Sequence, residues 1–369
     1  MLHYSLLSSS LKRLSKRTMA LIACSGVLSM ASCSVEDEYT ADGIENYDAL
    51  WRILDERYSY FDLKLPEGTT WRDLYNKYRP EVRRQMSTDS LFLVMNKLLS
   101  ELKDGHVNLT TPFDYARYWS WSEDYPANYD ARTVSKYLGN EYRIAGGLYY
   151  TQIKHNDHAA DSIAYLRYAS FASPLSSSNI TAALSRLSKC RALIIDIRSN
   201  GGGNVTTSDM FARHFMEEGR VVGSMRHKTG RGHNDFSEPV ELRLEPIATG
   251  LRWLRPVVLL TNRGVYSAAN DFTLKMKGLP YVTVMGDRTG GGGGLPMSSE
   301  LPNGWSVRYS STQTFDASGE HIEFGIEPDY RLSLDEERNA AGIDTMIEGA
   351  ISYLNERLKL YKATRKWVK

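Results

Sequence analysis

The chain has 369 residues, of which 42% are hydrophobic and 24% charged, with 45 basic and 44 acidic side chains. This composition is typical of a globular protein and, with only three cysteines, argues against disorder, a collagen-like repeat or a disulfide scaffold. The balanced charge gives no reason to expect a nucleic-acid partner, and the length predicts roughly two domains.

Residues 1–33 have the layout of a secretory signal, because a basic cluster precedes a short apolar stretch at 19–32. That stretch is too short for an ordinary membrane-spanning helix, which needs about 20 apolar residues. The small residues Ala31 and Ser32 before Cys33 resemble a bacterial lipoprotein box, which implies that Cys33 becomes the lipidated first residue. The alternative is a plain cleaved signal. The basic residues are Lys12, Arg13, Lys16 and Arg17.

The acidic run 36–38 resembles the export signal of surface lipoproteins in Bacteroidetes. We therefore expect a lipid-anchored protein of the outer membrane or cell envelope, facing the periplasm or the cell surface. Residues 34–45 are predicted to form a tether.

Residues 46–109 predict a helical domain, because apolar side chains recur there at helical spacing in three segments. The segments run from Tyr47 to Phe61, from Trp71 to Tyr78, and from Ser87 or Thr88 to Leu102. Residues 110–159 are poorly periodic, and we interpret them as an irregular connection with a hairpin around Tyr142–Ile153.

Residues 160–369 alternate short apolar runs with helical patterns, which indicates an α/β layer fold. The predicted strands are 163–168, 192–197, 256–261 and 281–285. The predicted helices are 178–189, 205–218, 268–277 and a C-terminal helix over 344–361.

Two turns in this chain have residue types suited to catalysis. His106 follows Gly105 after the third helical segment, and histidine has the pKa range of a general base, although such a residue is more often merely hydrogen-bonded. Gly201, Gly202 and Gly203 follow a buried strand and can present backbone N–H groups to an anion. Because neither the dinucleotide nor the P-loop pattern is present, an oxyanion hole fits better than a phosphate cradle, and a plain flexible turn is the alternative.

Ser267 lies where another buried strand leads into a helix, so its oxygen would gain from the positive end of the helix dipole. Simple helix capping is the alternative, because serine is a common N-cap residue. The small neighbours Gly264, Ala268 and Ala269 favour a functional hydroxyl, since they clear space around it.

Together these stretches resemble peptidase family S41, the C-terminal processing and tricorn-type serine proteases. The resemblance rests on Lys-Asp-Gly-His at 103–106, Leu-Ile-Ile-Asp-Ile-Arg-Ser-Asn-Gly-Gly-Gly at 193–203 and Tyr-Ser-Ala-Ala-Asn-Asp at 266–271. Two later stretches, 286–293 and 323–329, extend it. It implies a ClpP/crotonase-like β-α superhelical catalytic core with an N-terminal helical cap, and the short connection predicts no complete PDZ domain.

The resemblance also implies a mechanism. Gly292 stands where C-terminal processing proteases have their catalytic lysine, so a Ser-Lys dyad is not expected. His106 and Glu323 match the histidine base and the orienting glutamate of the tricorn-like branch, whereas Gly105 replaces the serine before that histidine.

The resulting prediction is an S41-like serine endopeptidase or C-terminal processing peptidase that acts on peptides or proteins. Catalysis is assigned to Ser267, His106 and Glu323, and the oxyanion hole to Gly201, Gly202 and Ala268. No metal or organic cofactor is expected, and the oligomeric state is left open. The alternatives are an inactive peptide-binding surface lipoprotein with the same fold and a crotonase-like acyl-group enzyme.

Overall fold

The computed structural model describes residues 39–153 and 163–364, without the side chains of 361–364. The predicted export signal and its Cys33 lie outside these residues. Within them, no helix combines the length and the apolar character that crossing a membrane requires.

The N-terminal part is helical, and its helices begin at side-chain caps. Asp42, Thr70 and Ser87 each accept backbone N–H groups of the following helix, which satisfies donors that the first turn leaves without partners. The elements are α1 (Gly43–Arg57), α2 (Phe61–Lys64), α3 (Trp71–Tyr78), a 3-10 turn (Arg79–Glu81) and α4 (Thr88–Ser100). The second predicted segment is confirmed, and the third ends two residues earlier than predicted. The first ends at Arg57, so that Phe61 lies in the separate helix α2.

The connecting segment has more regular structure than the sequence indicates. It contains β1 (Asn108–Thr110), β2 (Tyr115–Arg117), α5 (Ser120–Glu123), α6 (Ala131–Leu138), β3 (Arg143–Ala145) and β4 (Leu148–Gln152). Strands β3 and β4 form the predicted hairpin. Helix α6 went unpredicted because it has only eight residues, which hold too few apolar positions to show a helical period.

The remaining elements include the predicted alternation of strands and helices, together with two runs of consecutive strands, β7 to β9 and β10 to β14. They are β5 (Ile163–Tyr168), α7 (Ser177–Arg186), β6 (Ala192–Asp196), α8 (Val205–Ala212), a 3-10 turn (Arg213–Phe215), β7 (Arg220–His227), β8 (Val240–Leu244), β9 (Val257–Thr261), α9 (Ala268–Met276), β10 (Val282–Gly286), β11 (Pro296–Glu300), β12 (Ser306–Ser310), β13 (Thr312–Asp316), β14 (Tyr330–Arg331), α10 (Glu336–Ala340) and α11 (Thr345–Thr364).

A seven-stranded mixed sheet with strand order β14-β10-β9-β6-β5-β4-β3 forms the centre of the molecule. Strands β5, β6, β9, β10 and β14 are parallel, so β6 and β9 end beside each other, with Asp196 opposite Leu260. Ligand sites in such sheets form beyond the carboxyl ends of the strands. The glycine turn and Ser267 both follow this edge.

Both faces of the sheet are covered, which explains the continuous apolar runs of its strands. Leu193, Ile195 and Leu259 pack beneath α7, α8 and α9 on one face. Ile194 and Val258 point to the opposite face, where α6 and α11 cover them. The expected α/β core with a helical N-terminal region is therefore confirmed.

A third core lies inside the N-terminal helices, where Trp51 and Trp71 each donate an indole N–H to the other's backbone carbonyl. Trp305 and Tyr309, from the β11–β12 hairpin, belong to the same core. This hairpin joins β1 and β2 in a four-stranded sheet, so a late part of the chain completes the cap.

Candidate active site

Ser267 has an unusual backbone conformation between β9 and α9. Its φ is 56° and its ψ is −123°, a left-handed region that side-chain-bearing residues rarely adopt. Its side chain makes no capping hydrogen bond, although it stands at the N-cap position. The conformation is held by the backbone, because the Ser267 N–H donates to Gly291 O at 2.9 Å. Ser267 is partly exposed, and its hydroxyl has no structural role as a cap. The turn resembles the strained turns that present catalytic serines.

The glycine turn after β6 packs directly against Ser267. A Cβ placed on Gly202, where φ is +99°, would lie 2.8 Å from Ser267 Cβ and 2.9 Å from Ala268 N. Only glycine allows this approach. The Gly202 N–H donates to Asn200 Oδ1 at 3.0 Å, whereas the N–H groups of Gly201 and Ala268 have no acceptor within the described parts of the chain.

His106 is buried, with 2% of its surface exposed, in the turn after α4. Its Nδ1 lies 3.5 Å from Ser310 Oγ, and its ring packs edge-on against Tyr266, with 4.9 Å between centroids. Burial lowers the pKa of His106 to about 4, although the nearby Asp104 carboxylate opposes that shift. The imidazole is therefore neutral at neutral pH, which is the protonation state that a general base requires.

Asp104 organises the turn that carries His106. Its Oδ1 accepts the His106 backbone N–H at 2.7 Å, and its Oδ2 accepts the Tyr58 hydroxyl at 2.7 Å. The Tyr266 hydroxyl donates to Oδ1 at 3.4 Å. A buried carboxylate thus connects α1's end, the His106 turn and the residue before Ser267.

Glu323 is also buried, and Lys64 of the helical cap faces it. Glu323 Oε2 accepts the Gly293 N–H at 2.8 Å, and Oε1 lies 2.8 Å from Lys64 Nζ, whose side chain is only 8% exposed. Burial raises the pKa of Glu323 to about 7; Lys64 opposes this shift and the like charge of Asp104 adds to it. The charge of Glu323 therefore depends on Lys64, which belongs to the N-terminal helical part of the chain.

The loop 290–294 brings the Ser267 turn and Glu323 together. The Gly291 backbone oxygen accepts the Ser267 N–H. The Gly292 N–H donates to the Glu323 backbone oxygen at 3.0 Å, and the Gly293 N–H donates to the Glu323 carboxylate. Among residues 39–153 and 163–364, no hydrogen bond joins Ser267 to His106 or His106 to Glu323. Tyr266, the residue before Ser267, packs against the His106 ring. The catalytic roles of Ser267, His106 and Glu323 remain predictions.

Thr289 and Asn270 connect the later motifs to the Ser267 helix. The Thr289 hydroxyl donates to Asn270 Oδ1 at 2.6 Å and accepts the Ile326 N–H at 2.6 Å. Asn270 Nδ2 donates to Ile322 O at 3.0 Å. These bonds explain why the stretches 286–293 and 323–329 accompany the serine motif.

A cavity of about 250 Å³ adjoins Ser267, Ala268 and Gly292. Its walls are mainly apolar, with Val222, Met225, Leu242, Leu244 and Ile322. Asp271 and Lys275 form one charged end of it, where Lys275 Nζ pairs with both Asp271 and Asp209. The cavity is large enough for one substrate side chain.

No sequence pattern singles out Lys64, which lies between two of the predicted helical segments. The role of Asp104 could have been inferred from its place two residues before His106, because aspartate often accepts backbone N–H groups two positions ahead.

Comparison with known proteins places the chain among peptidases. The sequence model of peptidase family S41 matches residues 162–332, and that of the tricorn protease C1 domain matches residues 40–100. The chain is 26% identical over 188 residues to the carboxy-terminal processing protease CtpA of Bacillus subtilis (strain 168). This match covers 50% of the chain but only 37% of the Bacillus protein.

Solved structures agree with these matches. A crystal structure of a candidate peptidase from Parabacteroides merdae ATCC 43184 is 46% identical, with a TM-score of 0.80, and the match covers 85% of this chain and 97% of that one. Mature CPAF is 12% identical with a TM-score of 0.66, covering 89% of this chain and 99% of CPAF, and shares the fold.

Proposed function

The chain belongs to peptidase family S41, and we propose that it is a serine peptidase in which Ser267 attacks the peptide carbonyl. Substrates are peptides or proteins, cut internally or near their C-terminal ends. The observation that carries this proposal is the left-handed, uncapped conformation of Ser267 against the Gly202 backbone. A serine that serves only as a helix cap would use its hydroxyl on the first turn.

In the proposed reaction the Ser267 oxygen bonds to the carbonyl carbon while His106 takes the hydroxyl proton. The tetrahedral intermediate places its negative charge near the N–H groups of Ala268 and the glycine turn. His106 then gives the proton to the amine as the C–N bond breaks, and water hydrolyses the acyl-enzyme with His106 again as base. Glu323 stabilises the imidazolium that forms between these steps.

Ser267 and His106 are not hydrogen-bonded in the structure, and proton transfer needs them to come together. Catalytic hydrogen bonds are often long in substrate-free enzymes and shorten when substrate binds. The neutral state of His106 and its contact with Tyr266, the neighbour of Ser267, support its role as the base.

A second candidate is a peptide-binding protein that keeps the fold without catalysis. Two observations favour it: Glu323 pairs with Lys64 rather than with His106, and no lysine stands at Gly292. In that case the cavity beside Ser267 would bind peptides without cutting them.

Labelling with a fluorophosphonate probe separates the two candidates, because only an activated serine reacts. We expect intact protein to be labelled at Ser267, and Ser267→Ala and His106→Ala to lose the label. Ser185→Ala is the matched control, since Ser185 is exposed on α7, and it should label normally. Absence of labelling in protein with a normal thermal unfolding transition would contradict the peptidase proposal.

We further propose that the protein is anchored to the cell envelope through lipidated Cys33. Mass spectrometry of the mature N-terminus should find a diacylglyceryl group on Cys33. Cys33→Ala should move the protein from the membrane fraction to the soluble fraction. An unmodified N-terminus would contradict the anchor without affecting the peptidase proposal.

A further inference from the structure

A second cavity, of about 500 Å³, lies next to the glycine turn and differs in character from the apolar cavity beside Ser267. We call it the arginine cleft. It is lined by Arg117, Trp119, Trp121, Tyr125, Gly201 and Arg263. Its position is set by two elements, because Arg117 ends β2 and Arg263 follows the end of β9, four residues before Ser267.

The two guanidinium groups of the arginine cleft are held in place but form no ion pair with any described residue. Arg263 donates to the backbone oxygens of Thr289 and Trp121, at 3.2 and 3.0 Å. Its guanidinium carbon lies 3.9 Å from the centroid of the Tyr125 ring. Arg117 stacks on Trp119 at 4.1 Å. Within the described residues, no carboxylate lies at ion-pair distance from either one, although Glu123 lines the same cleft. Carbonyl oxygens and aromatic rings orient a cation without neutralising it.

Two buried donors of the cleft arginines also have no acceptor among the described residues. They are Arg117 Nε and Arg263 Nε. Leaving such groups unpaired is unfavourable, because nothing compensates for the hydrogen bonds to water that they lose. A ligand with acceptor oxygens would pair them, and a carboxylate matches the fork of a guanidinium best.

Given the proposed peptidase function, we infer that the arginine cleft is a substrate subsite that binds a carboxylate of the peptide. The arginine cleft and the apolar cavity both border the segment around Ser267. Gly201 and Gly264 line the arginine cleft, whereas Ala268 and Gly292 line the apolar cavity. A peptide held across Ser267 can therefore reach both. The carboxylate is either the C-terminal α-carboxylate or an Asp or Glu side chain.

Carboxylate binding would also act on His106. Burial is the main cause of the low pKa of His106, and the positive charge of Arg117 lowers it further, together with that of Arg308. The facing carboxylate of Asp104 opposes both, and the cation of Lys64 adds to the lowering. A substrate carboxylate on Arg117 would offset part of this effect, so that substrate binding makes His106 a stronger base.

The test is peptide binding to the Ser267→Ala variant, which leaves the peptide intact. The probe is a fluorescein-labelled degenerate heptapeptide pool, made once with free C-termini and once with amidated C-termini. A third pool is amidated and contains one Glu at a varied position. We expect one carboxylate-bearing pool to bind at least tenfold more tightly than the plain amidated pool, by fluorescence anisotropy.

Arg117→Met and Arg263→Met, each combined with Ser267→Ala, should abolish this preference and leave binding of the plain amidated pool within about twofold. Arg255→Met is the matched control, because Arg255 also binds two backbone carbonyls and stacks on a tryptophan, but at the opposite end of β9. Arg263→Lys should keep part of the preference, which excludes loss of folding as the cause.

Equal binding of all three pools would overturn the subsite, as would arginine variants that weaken every pool equally. The pool that binds more tightly identifies the source of the carboxylate. If the peptidase proposal is wrong and the subsite is right, the carboxylate-bearing pool still binds more tightly, but intact protein is not labelled by the fluorophosphonate probe.

Discussion

At the scale of single residues, Ser267 combines a reactive side chain with a backbone conformation that only glycine adopts without strain. Ser267→Gly should relieve that strain, whereas Ser267→Ala should keep it. We expect both variants to be inactive, and Ser267→Gly to exceed Ser267→Ala in free energy of unfolding by about 1 kcal/mol. Urea denaturation measures this difference.

The same pair of substitutions at Ser185 provides the control. Ser185 lies within helix α7, so glycine should be less stable there than alanine by about 1 kcal/mol. If Ser267→Gly also proves less stable than Ser267→Ala, the conformation at Ser267 costs nothing and the argument from strain fails.

Lys64 controls the charge of Glu323, since both side chains are buried and lie 2.8 Å apart. Burial and Asp104 already raise the pKa of Glu323 to about 7, and Lys64→Met would remove the cation that opposes them. At pH 7 most of the Glu323 carboxyl would then be protonated and unable to stabilise a charged His106. We expect the acidic limb of the kcat/KM profile to move up by about one pH unit.

The surrounding charges define the controls for Lys64. Tyr58, Tyr60 and Tyr266 also lie near Glu323, and burial raises the pKa of each well above its usual value, so they stay neutral over this range. Lys64→Arg should restore the wild-type limb. Lys77→Met removes an exposed lysine paired with Glu101 and should leave the profile unchanged. An unshifted limb in Lys64→Met would show that Glu323 does not titrate in the catalytic range.

At the scale of elements, the sequence predicted best those strands that are buried on both faces. Strand β5 coincides with the predicted range, and β6, β9 and β10 agree within one residue at each end. Strands β7, β8 and β11 are among those that were missed, because their mixed burial leaves neither an apolar run nor a clean alternation.

The turn between β6 and α8 is the element in which sequence and site agree most closely. Three successive glycines predict a close backbone approach, and Gly202 makes one against Tyr266, Ser267 and Ala268. Gly202→Ala would place a methyl group 2.6 Å from Tyr266 O at a φ of +99°. We expect kcat/KM to fall at least about 10²-fold and the free energy of unfolding to fall by about 1–3 kcal/mol.

Gly68→Ala separates backbone strain from the effect on the site. Gly68 has a φ of +71°, but a Cβ there would meet nothing within 4 Å. Gly68→Ala should therefore lower the free energy of unfolding and leave kcat/KM unchanged. If Gly202→Ala retains wild-type kcat/KM, the glycine turn does not shape the oxyanion hole.

At the scale of the whole molecule, the sequence could not predict which distant segments meet. Ser59 donates to the backbone oxygens of Ser310 and Thr312 at 3.0 and 2.9 Å, and Lys64 reaches Glu323. These partners are about 250 residues apart, and no local pattern encodes their pairing. The motif resemblance supplied Ser267, His106 and Glu323, whereas the cap residues around them emerge only from the packing.

A buried ion network joins the C-terminal helix α11 to the edge of the sheet from which the glycine turn begins. Arg198 Nη2 lies 2.6 Å from Asp196 Oδ2 and 2.9 Å from Asp344 Oδ2, and all three side chains are fully buried. Burial alone would raise the pKa of Asp196, but Arg198 and Arg167 lower it to about 2, so the carboxylate is charged at neutral pH. Asp344 also accepts the backbone N–H groups of Met346 and Ile347 at the start of α11.

Asp344→Asn should keep this cap and remove one of the two charges that hold Arg198. Because a buried ion that loses a partner is costly, we expect the free energy of unfolding to fall by about 2–4 kcal/mol. Arg198 is two residues from Asn200, whose Oδ1 accepts the Gly202 N–H, so kcat should also fall. Thermal unfolding and peptide hydrolysis measure the two effects. Asp335→Asn, at the exposed N-cap of α10, is the control. It should lower the free energy of unfolding and kcat by at most about a third of the changes seen in Asp344→Asn. A loss of stability in Asp344→Asn with unchanged kcat would show that the network supports the fold without positioning the glycine turn.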